Sequence, residues 1–313
     1  MVTGAFLFPG QGSQFAGMGK DLVATFPEAR DVYDRADAAL APLGLSISTV
    51  SFEGTEEELK QTAVTQPAIV THAVAVFAIL RARGVSPSIA AGHSLGEYAA
   101  LVAAGALTLE DAVVLVRRRG LFMQEAVPAG TGAMSAVIGP SPEAVAAACA
   151  EAESATGETC SAANFNSPEQ TVIAGTARAV AKASGLLKAA GAKRVLPLPV
   201  SAPFHCALMK PAEEKLTPYL DATPFGPMSF PVVTNVDAAP GLDGEAARAA
   251  LKRQICSPVR WVESVRVLSG AASSAVECGP GAVLAGLAKR IAKEWPVTST
   301  SDAVGIGKLL AAS

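Results

Sequence analysis

The sequence predicts an α/β fold, a large domain around a central parallel sheet that is interrupted by a small inserted domain. Three observations carry this expectation. Short apolar runs at residues 5–8, 89–91 and 275–278 are each followed by a Gly- or Pro-containing turn and then a helical pattern, the rhythm of parallel strands joined by helices. Between residues 130 and 200 the order becomes β-α-β-β-α-β, that of a ferredoxin-like unit. Gly92-His93-Ser94-Leu95-Gly96 lies between an apolar strand and a helical run. Gly-x-Ser-x-Gly at a strand-to-helix turn makes the large domain α/β-hydrolase-like. The expected division is 1–128 and 201–313 for the large domain and 129–200 for the small one.

Composition bounds the possibilities. Half of the 313 residues are hydrophobic, enough for a large core. Only 17% are charged and the net charge is −3, which argues against a nucleic-acid partner held by bulk electrostatics. Five cysteines, an odd number without metal-ligand spacing, read as reduced thiols of a cytoplasmic protein with no metal. The first residues, Met1-Val2-Thr3-Gly4-Ala5-Phe6, have no basic region before the apolar run, so no signal peptide is expected. The apolar stretch at 68–80, broken by Thr71 and His72, is too short to span a bilayer, and no membrane partner is expected.

In chain order, the strand at 5–8 ends at Pro9-Gly10 and leads into Gln11-Gly12-Ser13-Gln14. In an open α/β sheet such a loop is where ligands bind, or it is an ordinary turn into a helix. Helical patterns follow at 27–43, 56–61 and 67–82, the last holding His72 as a packed or capping side chain. After the serine motif, Thr108 is the N-cap of a helix reaching about residue 126. Ala112, Leu115, Arg119, Phe122 and Ala126 share one face of it. Arg119 is therefore an arginine in an apolar stripe, whereas Arg118, on a face with Asp111 and Glu125, reads as solvated. A buried guanidinium is costly unless an anion meets it. Arg119 either pairs with an internal carboxylate or waits at a cleft for an anionic ligand.

The inserted unit reads as strand 132–138, helix 142–152, strands 161–165 and 171–174 joined by a turn at Asn166-Ser167-Pro168, helix 177–190 and strand 193–198. The large domain resumes with helix 208–220, strand 231–234, helices 244–255 and 261–268, strand 275–278, and a last clear helix to about residue 292.

The chemistry centres on Ser94. The flanking glycines allow a sharp turn, its hydroxyl projects, and the Leu95 amide opens a helix whose dipole favours an oxyanion. A serine needs a base, and the chain has three histidines. His93 adjoins the serine and His72 sits in an apolar helix, which leaves His205, in Ser201-Ala202-Pro203-Phe204-His205-Cys206. No carboxylate stands out as a third member. A backbone carbonyl orienting the imidazole would make a Ser-His dyad, which weakens a plain lipase or esterase reading.

Several motifs in one order then carry a resemblance over nearly the whole chain. They are Phe8-Pro9-Gly10-Gln11-Gly12-Ser13-Gln14, Gly92-His93-Ser94-Leu95-Gly96-Glu97, Arg119-Gly120 with Met123-Gln124, Asn164-Phe165-Asn166-Ser167, His205-Cys206, Gln254 with Pro258-Val259-Arg260-Trp261, and Glu277-Cys278-Gly279-Pro280-Gly281. The chain resembles the malonyl-CoA:acyl carrier protein transacylases. The resemblance implies ping-pong transfer of malonyl from malonyl-CoA to the phosphopantetheine thiol of acyl carrier protein through a malonyl-Ser94 ester. It implies His205 as base, Gln11 and Leu95 amides as oxyanion hole, the Gln254 carbonyl orienting His205, and Arg119 clamping the malonyl carboxylate. Asn164, His93 and Phe204 would line the substrate site, with no metal or redox cofactor. An aromatic such as Phe204 before the histidine resembles malonyl-selective polyketide acyltransferases and departs from the small residue common in fatty-acid members, so either pathway stays open. The first alternative is a serine thioesterase or esterase, and the second, from a different class, is a non-catalytic carrier-binding scaffold. Carrier proteins of this family are acidic, so docking would need a local basic patch. Arg117, Arg118, Lys188, Lys193 and Arg194 are candidates, or ordinary surface charges.

Overall fold

A computed structural model describes residues 4–128, 130–200 and 202–311. The expected domain junctions fall at residues 129 and 201, outside the described residues, as do Met1-Val2-Thr3 of the expected leaderless start, Ser201 of the His205 segment and residues 312–313. The strands, in chain order, are β1 (Ala5–Phe8), β2 (Ile89–Gly92), β3 (Gly132–Ile138), β4 (Cys160–Ser167), β5 (Gln170–Thr176), β6 (Arg194–Pro197), β7 (Val232–Val233), β8 (Pro240–Gly241), β9 (Ala275–Glu277) and β10 (Val297–Ser299). They form a six-stranded sheet, order β10-β9-β1-β2-β7-β8, and a four-stranded sheet, order β4-β5-β3-β6. The first is parallel except for the β7–β8 edge hairpin. The second is wholly antiparallel.

The parallel sheet sets the site. The loops after β1, β2 and β7, three neighbouring strands, emerge at one edge and bring Gln11, Ser94 and Asn235 together. All four residues of β1 and of β2 are buried, as expected where helices cover both faces.

The smaller sheet is apolar on both faces. Val137 and Ile173 pack with Val145, Cys149, Val180 and Leu187 under its own helices, Pro142–Thr156 and Ala177–Ala189. On the opposite face Met134, Ala136, Val172 and Ala174 join the core of the large unit. Strand β4 is tied across by hydrogen bonds from Phe165 N to Val259 O (2.9 Å) and from Val259 N to Ala163 O (2.9 Å). This sheet is thus a wall of the central cleft.

The helix expected at 67–82 starts earlier, at Thr62, and Pro67 lies inside it. An interior proline removes the donor for the carbonyl four residues back, here that of Ala63. Arg117 Nη1 supplies that donor at 2.9 Å, while Gln124 Oε1 accepts from Ala63 N at 2.7 Å. Both side chains come from the helix Leu109–Glu125. Gly120 of that helix allows the approach, since a Cβ there would stand 2.6 Å from Ala63 Cα. At 21 residues, Thr62–Ala82 is long and apolar enough to cross a membrane, contrary to the expectation from 68–80. Yet every residue from Thr62 to Phe77 is buried, so its apolar surface faces the core. His72 packs inside it, with Nε2 3.0 Å from Ser301 O and Nδ1 3.4 Å from the Tyr33 hydroxyl.

Other boundaries differ locally. Asn166 and Ser167 belong to β4 rather than to the turn, which lies at 168–169, because pairing with β5 continues to Ser167–Gln170. The strand expected at 231–234 is only Val232–Val233. Beyond residue 292 the chain adds β10 and the helix Ala303–Ala311, both unanticipated. Arg118, expected in solvent, is half-buried with its guanidinium 4.2 Å from the Tyr219 ring centroid. The five cysteines are all unpaired.

Arg117→Ala would leave the Ala63 carbonyl without its donor. We expect a loss of about 1–2 kcal/mol in unfolding free energy, read from the urea midpoint. An unchanged midpoint would show that this contact contributes nothing.

Candidate active site

The site begins with two glycines. A Cβ on Gly92 would lie 1.9 Å from the carbonyl carbon of Gly96, and one on Gly96 would lie 2.1 Å from Phe8 O. Neither position tolerates a side chain, so strand β2 can turn directly into the helix Gly96–Ala104. At the turn Ser94 has φ 52°, in the left-handed region that costs a non-glycine residue about 1–3 kcal/mol. Asn235 holds this strained peptide: its Oδ1 accepts from Ser94 N at 2.6 Å and its Nδ2 donates to Gly92 O at 2.6 Å.

His205 approaches from the segment after the small sheet. It too has a positive φ, 60°, and is 4% exposed. Its Nε2 is 2.7 Å from Ser94 Oγ and its Nδ1 is 3.0 Å from the main-chain oxygen of Gln254. A carbonyl only accepts, so the proton sits on Nδ1 and the Nε2 lone pair faces the serine hydroxyl. Burial, reinforced by the nearby Arg119 charge, lowers the imidazole pKa to about 3.

Arg119 is 1% exposed. Its Nη1 donates to Gln66 Oε1 at 2.8 Å, and Nη2 donates to Gln254 Oε1 at 3.0 Å and Ser94 Oγ at 3.1 Å. All of these acceptors are neutral, and among the described residues no carboxylate bonds to it. Of the two alternatives left open by sequence, direct pairing with an internal carboxylate is the one that the geometry lacks. The nearest acid, Glu97, is 1% exposed and is separated from the guanidinium by Gln254. Burial pushes the Glu97 carboxyl up to about 7.

Ser94, His205 and Arg119 open into a cavity of about 150 Å³, lined also by Gln11, Leu95, His93, Asn164, Asn166, Phe204, Gln66, Met123, Met134, Val172, Leu198 and Val200. Gln254 is fully buried behind His205 and Arg119. Among the described residues no acceptor meets the Gln11 or Leu95 amides. His93 turns toward Asn166 (Nε2 to Oδ1, 2.8 Å) and meets the Trp261 ring edge to face. Sequence reasoning missed Gln66 and Asn235, ordinary polar residues with no periodic signal, and gave no role to Asn166, although it stands in the Asn164-Phe165-Asn166-Ser167 motif. Glu97 had one: it is the only charge in an apolar helix.

A separate, larger cleft of about 530 Å³ is lined by Ile138, Ser167, Pro168, Glu169, Lys193, Arg194, Arg290 and Lys293. Of the docking candidates it includes Lys193 and Arg194, and it adds Arg290 and Lys293. Arg117 and Arg118 are engaged internally, as above, and Lys188 is exposed elsewhere on its helix.

Burial lowers the pKa of all three histidines, that of His72 to about 4. In ring-¹⁵N NMR we expect His205 and His72 to stay neutral at pH 6, with His205 carrying its proton on Nδ1. A His205 that titrates near its ordinary value of 6.5 would contradict the buried dyad.

Residues 5–310 match the acyl transferase domain family. The curated malonyl CoA-acyl carrier protein transacylase of Escherichia coli K12 is 50% identical over 293 residues, 93% of each chain. That of Bacillus subtilis is 46% identical over 299 residues, covering 95% of this chain and 93% of its own. Among solved structures, a malonyl-transacylase in complex with its type II polyketide-synthase acyl-carrier protein superposes with TM-score 0.95 at 45% identity, covering 99% of this chain and all of that one. The chain therefore belongs to the acyl transferase family, among the malonyl CoA-acyl carrier protein transacylases.

Proposed function

We propose that this protein transfers malonyl from malonyl-CoA to the phosphopantetheine thiol of an acyl carrier protein through a malonyl-Ser94 ester. The observation that carries this reading is the buried Arg119 guanidinium, bonded only to neutral groups and 3.1 Å from Ser94 Oγ. A hydrolase of simple esters has no use for a cation there. A dicarboxylic acyl group supplies the missing anion in bidentate form.

In the first half-reaction His205 Nε2 takes the Ser94 proton as Oγ attacks the thioester carbonyl. The oxyanion is held by the Gln11 and Leu95 amides, the latter at a helix start. Collapse expels the coenzyme A thiolate, which takes the proton from Nε2. The carrier thiol then gives its proton to His205 and attacks the ester, and Ser94 takes that proton back on leaving. The Gln254 carbonyl keeps His205 in the required tautomer. His93, Asn164 and Phe204 shape the acyl pocket, and Phe204 favours malonyl over bulkier groups.

We further read residues 129–200 as a ferredoxin-like domain, supported by the strand order β4-β5-β3-β6, inserted in an α/β-hydrolase-like domain formed by 1–128 and 201–313. The location is cytoplasmic. Carrier docking is assigned to the basic cleft of Lys193, Arg194, Arg290 and Lys293 rather than to Arg117 or Arg118.

Brief incubation with malonyl-CoA is expected to add a malonyl mass that Ser94→Ala loses. Arg119→Ala is expected to reduce the preference for malonyl over acetyl thioesters by about 3 kcal/mol; an unchanged preference would remove the clamp. Hydrolysis as fast as transfer in the presence of carrier would favour the thioesterase. Arg290→Glu with Lys293→Glu is expected to raise the apparent KM for carrier severalfold and leave that for malonyl-CoA nearly unchanged. Equal effects on both would refute the docking assignment.

A further inference from the structure

We propose that Glu97 is a positioning residue for acyl selectivity: it sets which end of the Gln254 side-chain amide faces Arg119. The inference rests on the malonyl reading above and adds a residue that never touches substrate.

Gln254 occupies the centre of the site. Its Nε2 donates to Glu97 Oε2 at 2.8 Å and to Ser94 O at 3.0 Å, while its Oε1 accepts from Arg119 Nη2 at 3.0 Å. An amide is nearly symmetric in shape and opposite in polarity at its two ends. Turned over, it would present NH₂ to a guanidinium, which has donors only. The Ser94 carbonyl and Glu97 together take both Nε2 hydrogens, and that fixes the oxygen toward Arg119. Glu97 is itself held, because Oε2 also accepts from Asn235 N at 2.9 Å.

The arrangement also keeps the charges apart. A carboxylate placed directly on Arg119 would occupy the cation that the acyl carboxylate needs. With Gln254 between them, the Glu97 carboxyl orients the guanidinium's support through its acceptor oxygen and leaves the guanidinium free to pair with substrate. The main-chain carbonyl of the same residue holds His205 Nδ1, so one fixed glutamine orients base, clamp and serine peptide.

The test is competition between malonyl-CoA and acetyl-CoA for Ser94, read by intact mass, in wild type, Glu97→Leu and Glu97→Gln. Fluorophosphonate labelling of Ser94 serves as an acyl-independent measure of a folded site. Glu97→Leu removes the acceptor, and the malonyl-over-acetyl ratio is expected to fall about tenfold while labelling falls much less. Glu97→Gln can place its amide oxygen where Asn235 N and Gln254 Nε2 converge, and is expected to recover most of the ratio. Equal losses for malonyl and acetyl, or a Glu97→Gln as impaired as Glu97→Leu, would overturn the assignment. Should Glu97→Leu fail to fold, Gln254→Leu replaces it: it keeps the carbonyl on His205 and removes the amide, and an unaltered ratio would overturn the proposal. A wild type with no malonyl preference would instead overturn the reading on which the proposal rests.

Discussion

Everything around the site depends on keeping a bare guanidinium inside the protein. Desolvating Arg119 costs several kcal/mol unless polar groups replace water. The fold supplies them as amide oxygens, from Gln66 on one helix and Gln254 on another. These acceptors are strong enough to hold the cation and too weak to neutralise it. The support is mechanical as well. Arg119 sits on a helix locked to Thr62–Ala82 by Gly120, Gln124 and Arg117, so its position is set by backbone approach rather than by side-chain flexibility. Pro67, an anomaly in a helix interior, becomes part of that lock, because the carbonyl it orphans is where Arg117 binds.

A second constraint is backbone strain. Ser94 and His205, 111 residues apart, both adopt positive φ and meet at 2.7 Å. Such conformations persist only when their surroundings over-determine them. For Ser94 these are the two obligate glycines and the Asn235 bridge. For His205 they are the Gln254 carbonyl and near-complete burial. Burial has an electrostatic consequence, since a histidine beside Arg119 stays neutral and keeps a lone pair available. It raises the Glu97 carboxyl in the opposite direction, so the acid behind the site is less fully charged near neutral pH than an exposed glutamate.

Linkage assigns these shifts a sign. Between about pH 6.5 and 4 the unfolded chain binds protons that native His72 and His205 refuse, so their burial costs stability as pH falls through that window. Glu97 acts oppositely: its raised pKa contributes stability that is lost as pH rises from about 4.5 through 7. The two effects partly offset one another across weakly acidic pH.

Much of the fold was legible because its signals are local. Buried parallel strands such as 5–8 and 89–91 are short apolar runs, capped helices announce themselves, as Thr108 did, and Gly-x-Ser-x-Gly marks a turn no other sequence makes easily. The elements that escaped are short: the helices Lys20–Thr25 and Ile47–Glu53, the two-residue hairpin strand β8, and at the end of the chain β10 and the helix Ala303–Ala311, each with too few residues to show a clear period. Arg119 was visible as a charge in an apolar stripe, and His205 as the remainder of three histidines. Sequence could not decide whether Arg119 met an internal acid. That depends on Gln254 lying between it and Glu97, residues 157 apart that only the folded chain brings to 2.8 Å. Sequence determined which groups are present and which must be buried. Tertiary structure alone decided which of them touch, because hydrogen-bond partners across a core leave no period in the chain.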